Sequence, residues 1–328
     1  MKQKTALVAG LLSCLMMFGC TSCGTPSNSA GSNVTEAVAS ASAQSGTDTA
    51  AQKKTGQPGD TPDASNGYLV AERMEKEVKV DLDGDGKTDT LKVSVKSEQK
   101  SDGTNCWNEY VLNSIVINGK ELADSSADYP LQAYQVNLEN PDRKQYFITD
   151  LDATDGALEI ALLDYGPSDD LVTWYLQYKG GTLKNLGSVP GFPTDANSSR
   201  DGKGNIMAVG RLKLLQTWCA TFPYTLKDGK LKKVSQSQYI PLQDPGTAVT
   251  LKQKLTVYTK MDQKSDTIQM QPSKKPVTFP ATDDKNWVEM RMANGTEGWI
   301  YFRDFSTIVS DGQQLQATDV FGNLTIAD

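Results

Sequence analysis

From residue 68 to residue 245 the chain runs in short apolar–polar alternations, each closed by a turn rich in glycine, aspartate or asparagine. Strict alternation puts every second side chain on one face of an extended strand, so this pattern folds into half-buried antiparallel β-structure. TLKVSVK sets Leu91, Val93 and Val95 on one face. EYVLNSIVIN runs into Asn118-Gly119, a pair suited to a type I′ hairpin, where both central residues take positive φ. LVTWYLQY alternates through Val172, Trp174, Leu176 and Tyr178 and stops at Gly180-Gly181. NIMAVGRLKL follows a DGKG turn, and TFPYTL leads through Asp228-Gly229 into KLKKVSQSQYI. At the start, YLVAERMEKEVKV reads as partly helical before a strand at residues 77–80. There are no helical heptads and no solenoid period, so the expected fold class is all-β.

The sharpest chemistry is in VDLDGDGKTDTLKV. Asp81, Asp83 and Asp85 occupy positions 1, 3 and 5 of a tight loop, Gly86 position 6 and Asp89 position 9. Alternating aspartates turn their carboxylates toward one point, and such hard oxygen ligands suit Ca²⁺, completed by the Lys87 carbonyl and water. An EF-hand needs a bidentate glutamate at position 12, and Lys92 stands there. The loop resembles the β-hairpin calcium loops of FG-GAP and VCBS-type extracellular repeats, which end at the ninth residue. A second run, ITDLDATDGALEIALLDYGPSDD, resembles the same pattern through Asp150, Asp152, Asp155 and Glu159, with one residue inserted before Asp155. The resemblance implies one calcium site, and a second where the insertion allows it, in a calcium-rigidified β domain over residues 68–245. So short a domain holds too few blades for a full propeller.

Pro245 and Gly246 mark the expected boundary of a second unit, residues 246–328. Leu255-Thr256-Val257-Tyr258, then Trp287-Val288-Glu289-Met290, the turn Asn294-Gly295, and Gly298-Trp299-Ile300 resemble a bacterial SH3 domain. That implies a small β-barrel with a tail, and a peptide groove of the kind wall-associated proteins turn toward peptidoglycan. Trp287 and Trp299 are the groove candidates, one able to fill the barrel core while the other lines the groove. The alternative is that both tryptophans are structural.

The amino-terminal part reads as export and attachment. Lys2 and Lys4 precede a short apolar run from Ala6 to Phe18, the n- and h-regions of a signal peptide over residues 1–19. Met17-Phe18-Gly19-Cys20 resembles the lipobox of bacterial lipoproteins, which implies a lipid thioether on Cys20 and attachment to the outer face of the cell membrane. Acyl chains hold a protein there by burying methylenes, each contributing roughly 0.8 kcal/mol. Residues 20–67 are rich in Ser, Thr, Ala and Gly and bring no aromatic residue before Tyr68, too little apolar surface for a core, and read as a disordered tether.

Composition narrows the function. The chain has no histidine, which removes Ser-His-Asp and Cys-His catalysis, imidazole general bases and histidine-held zinc together. Its formal charge of −7 gives no electrostatic footprint for nucleic acid and suits metal cations and neutral or basic wall polymers. Cys106 and Cys219 are placed either to form a disulfide, which an exported protein permits, or to remain two separate thiols. The expected function is binding or scaffolding at the cell surface, with peptidoglycan or a surface protein as partner. The alternative is a surface hydrolase of glycan or peptide using paired carboxylates or a bound metal.

Overall fold

A computed structural model describes residues 69–101, 103–104, 106–122, 145–164, 170–242 and 248–326. The expected signal peptide, tether and Cys20 lie outside the described residues. The first strands are Leu69–Arg73 (β1), Glu77–Val80 (β2), Asp89–Ser101 (β3), Cys106–Ile117 (β4) and Lys120–Glu121 (β5). β2 to β5 form an antiparallel sheet in sequence order, with Leu91, Val93, Ile115 and Ile117 fully buried on one face. Asn118 and Gly119 take φ of 53° and 73° and close the β4–β5 hairpin, as their residue types require.

The next strands are Gln145–Thr149 (β6), Glu159–Asp164 (β7), Val172–Lys179 (β8) and Thr182–Pro190 (β9). They form an antiparallel meander, with β1 added beside β6. The expected helical character at the start is therefore corrected: Leu69–Arg73 pairs with Thr149–Gln145 as an edge strand. Backbone pairing to a neighbouring strand overrides a weak local helical preference. β7 is buried over Glu159 to Leu163, which explains the unbroken apolar run around ALEIALL. Ile160 and Leu162 pack on one side with Leu82, Leu91, Val93 and Ile115. Ala161 and Leu163 pack on the other with Tyr175, Ile206 and Ala208. A strand covered on both faces has no need of polar alternation.

That second side is covered by Ser199–Arg200 (β10), Asn205–Arg211 (β11), Cys219–Lys227 (β12) and Lys230–Lys233 (β13), a sheet in sequence order. The N-terminal part is thus three β layers around two cores, and the meander is the middle layer. Asp228-Gly229 closes β12 onto β13 with both φ positive, as Gly180-Gly181 closes β8 onto β9.

The remaining elements are Thr250–Leu251 (β14), Leu255–Tyr258 (β15), Thr267–Met270 (β16), Ser273–Pro276 (β17), Trp287–Arg291 (β18), Glu297–Phe302 (β19), Thr307–Ser310 (β20) and Gln313–Gln316 (β21). One turn of helix, Ala317–Val320 (α1), and Phe321–Gly322 (β22) end the series. β16-β15-β19-β20-β21, with β18 on β19, form a six-stranded sheet, and β17-β14-β22 a smaller one.

The third core joins this part to what precedes it. Leu212, Leu214, Leu215, Trp218, Phe222 and Tyr239 pack with Val257, Val288, Met290, Ile300, Phe302 and Phe321. Backbone bonds tie the same segments, from Leu215 N–H to the Phe305 carbonyl (2.7 Å) and from Tyr239 N–H to the Thr282 carbonyl (2.7 Å). The expected boundary at Pro245 falls outside the described residues, and the packing runs across it. All described residues belong to one compact unit, Gly56–Asp328.

Candidate metal centre and aromatic face

The loop between β2 and β3 leaves the sheet where Val80 pairs with Asp89. Asp81 organises its turn: Oδ1 accepts the Gly84 N–H at 2.8 Å and Oδ2 the Gly86 N–H at 3.1 Å. Both glycines have positive φ, and Gly84 backs so closely onto the Gly156 carbonyl that a side chain there would collide with it. The result brings carboxylate oxygens of Asp81, Asp83 and Asp89 within 4.8 Å of one another. Among the described residues this is the one group of acidic or thiol side chains that converges in this way. Three like charges at that spacing repel, and a hard dication with oxygen preference relieves the repulsion.

Asp89 is the buried member. Its Oδ2 accepts the Leu82 N–H at 2.9 Å, and its Oδ1 accepts the Asn118 Nδ2 at 2.6 Å. Asn118 thus serves twice, as a turn residue and as the clamp that orients the Asp89 carboxylate. Sequence alone signals only the turn. Asp85 departs from the expected ligand set. Its Oδ1 accepts the Lys87 N–H at 2.7 Å and its Oδ2 faces the Lys87 ammonium at 3.0 Å. Those two bonds, the backbone one first, hold the Asp85 carboxyl below the usual range. Asp85 is outside the converging group, and the Lys87 side chain neutralises it instead.

The second acidic loop repeats the plan of the first. Leu151, like Leu82, is buried, and its N–H goes to the closing acid, Glu159 Oε2, at 2.8 Å. The loops touch through the Leu158 N–H and the Leu82 carbonyl (2.8 Å). The inserted residue changes what the acids meet. Asp155 Oδ1 accepts the Ala157 N–H, and Asp152 Oδ1 accepts the N–H and hydroxyl of Thr154. Gln177 Nε2, on β8 opposite Glu159, donates to Asp155 Oδ2 (2.8 Å) and Glu159 Oε1 (3.0 Å). A neutral amide bridges these two acids, and Asp150, Asp152, Asp155 and Glu159 do not converge as the first loop does.

Glu159 is fully buried, and burial pushes its carboxyl up to about 7 against the opposing bonds from Leu151 and Gln177. The folded state therefore holds this proton more tightly than the unfolded chain. Its stabilising contribution is complete below the unfolded value of 4.5 and is lost as pH rises through about 7. In the presence of chelator, denaturant unfolding should show stability falling by roughly 1–3 kcal/mol between pH 5 and pH 8, each tenfold difference in proton affinity being worth about 1.4 kcal/mol. Glu159→Gln should flatten that slope, and an equally steep slope in the variant would assign it elsewhere.

A third acidic turn adjoins the second loop. Asp201 accepts the Lys203 and Asn205 N–H groups, while the Gly202 carbonyl takes the Ala153 N–H at 2.9 Å.

On the C-terminal sheet, Val288, Met290, Ile300 and Phe302 face the core, so alternation sends Trp287, Glu289, Trp299 and Tyr301 to the opposite face. Trp287 is nonetheless buried, because Tyr258 and Tyr301 pack edge-on against it at 5.4 and 5.0 Å between ring centroids. Trp299 is partly exposed and pairs across the sheet with Glu289 on one side and Tyr258 on the other. One tryptophan is buried and the other partly exposed, and the buried one, Trp287, packs on the outer face with Tyr258 and Tyr301. Val288, Met290, Ile300 and Phe302 line the core, and the outer face carries the indoles of Trp287 and Trp299. Gly298 permits this arrangement, since a side chain there would run into Val257.

Of the two arrangements open to the cysteines, the structure has separate thiols: Cys106 is exposed at the start of β4 and Cys219 lies half-buried in β12. Among the described residues no helix is long and apolar enough to cross a membrane. No protein-family model, curated protein or solved structure matches this chain.

Proposed function

We propose that this chain is an exported, lipid-anchored surface protein that works by binding or scaffolding. In this reading Ca²⁺ on Asp81, Asp83 and Asp89 rigidifies an FG-GAP/VCBS-like β domain, and the C-terminal sheet acts as an SH3-like wall-binding module. The convergence of those three carboxylates at a hairpin end carries the proposal. Asp81 and Asp89 are held in place by backbone and amide donors, so the site is formed before a cation arrives and little ordering remains to oppose binding.

The surface-hydrolase alternative draws no support from the carboxyl with the most raised pKa. Glu159 is fully buried and both its oxygens are bonded, so it has no path to a substrate. A binding screen of the mature chain against glycans, peptidoglycan sacculi and peptides, with and without Ca²⁺, tests the reading. Saturable binding without turnover supports it, and specific turnover would favour the hydrolase. Attachment has its own test. Cys20→Ala should leave the chain unprocessed or released on detergent partitioning, because the thiol is the acyl acceptor. A Cys20→Ala chain that matures and stays with the membrane would overturn the anchor.

A further inference from the structure

We infer that the outer face of β18 and β19 binds a lysine or arginine side chain of a basic peptide, with Glu289 as its counter-charge and Trp299, Tyr258 and Tyr301 as its aromatic walls. This rests on reading the C-terminal sheet as a binding module and names the ligand chemistry that face would take.

The strand register builds the site. Glu289, Trp299 and Tyr258 stand in one row across three strands, and Trp287 and Tyr301 form the next row. All five point away from the core, and the buried Trp287 buttresses the two tyrosines. Two other charged groups share the face, and they satisfy each other: Arg291 Nε donates to Glu297 Oε2 at 2.8 Å. The Glu289 carboxylate has no hydrogen bond or ion pair among the described residues. Partial burial, and then repulsion from Glu297, disfavour its charged form, against the opposing charge of Arg291.

A half-buried carboxylate without a donor costs free energy, and an arriving cation recovers it through a charge-assisted hydrogen bond. The same cation gains from the faces of the surrounding rings, an attraction that strengthens once water is excluded. An anion is repelled by Glu289, and a neutral sugar would stack on the rings with no use for the carboxylate. A guanidinium or ammonium uses both.

The test titrates the full chain with a trilysine peptide, the same peptide with its lysines ε-acetylated, chitotriose, and sacculi, followed by tryptophan fluorescence and calorimetry. Expected is saturable binding of trilysine, lost on acetylation and weakened at least about tenfold by Glu289→Gln, a change of about 1.4 kcal/mol. Glu289→Gln should melt no lower than wild type, and Glu121→Gln, exposed on β5, should bind trilysine as wild type does. Trp299→Ala should weaken binding as well. Equal affinity for the acetylated peptide, or indifference to Glu289→Gln, overturns the cation assignment while chitotriose or sacculus binding keeps the module. Failure of all four probes with a folded wild type overturns both.

Discussion

Saturating Ca²⁺ should raise the unfolding temperature by about 5–10 °C. A ligand that binds only the folded state stabilises by about 2.7 kcal/mol at a hundredfold excess over its Kd. In a domain of this size each kcal/mol moves the midpoint by roughly 2–4 °C. Asp83→Ala should remove most of that gain and change little in chelator, because Asp83 bonds the loop only through a long contact to the Asp85 N–H, 3.3 Å. Asp89→Ala should differ by costing stability even without calcium. It leaves the buried Leu82 N–H and the Asn118 amide without their acceptor, at about 1–3 kcal/mol. Asp85→Ala should keep the calcium response, since its carboxylate serves Lys87 rather than the cluster. Calorimetric melts of the four proteins with Ca²⁺ and with chelator decide this. A wild-type midpoint indifferent to chelator removes the site, and a lost response in Asp85→Ala returns Asp85 to the ligand set.

The two tryptophans should separate on stability. Trp287 is buried between Tyr258 and Tyr301, so Trp287→Ala opens a cavity and removes two edge-to-face contacts, for a loss of about 3–5 kcal/mol. By the scaling above, the melting temperature should fall by roughly 6–20 °C. Trp299 is partly exposed on the same face, and Trp299→Ala should cost less stability and register in binding instead. Circular dichroism melts alongside sacculus pull-downs give both readings. If Trp287→Ala melts within about 2 °C of wild type while Trp299→Ala unfolds, the assignment of buttress and platform is reversed.

The layers of the fold were legible because alternation and turn chemistry are local. Leu91, Val93 and Val95 announced β3, and Asn118-Gly119, Gly180-Gly181 and Asp228-Gly229 close hairpins where their positive-φ tolerance allows. What alternation does not carry is the partner. The run from Ala157 to Leu163 is apolar throughout except for Glu159 because β7 is covered on both faces, and only the assembled layers reveal that. Leu69–Arg73 becomes a strand because β6 offers it an edge, far along the chain. The packing across residue 245 was equally hidden, because a Pro-Gly pair signals a turn and says nothing of which apolar faces meet beyond it.

The sequence by itself determined that the chain is all-β, that its acids gather in glycine-rich turns, and that histidine chemistry is closed to it. These follow from residue identity and short-range backbone geometry. Only the tertiary structure decided which acids converge. Asp89 joins Asp81 and Asp83 held by Asn118 from another hairpin, while Asp85 is paired within its own loop to Lys87. Gln177, delivered by β8, places an amide between Asp155 and Glu159. Spacing sets where a carboxylate can point, and the donor that reaches it, from its own loop or from a neighbouring strand, sets where it does point.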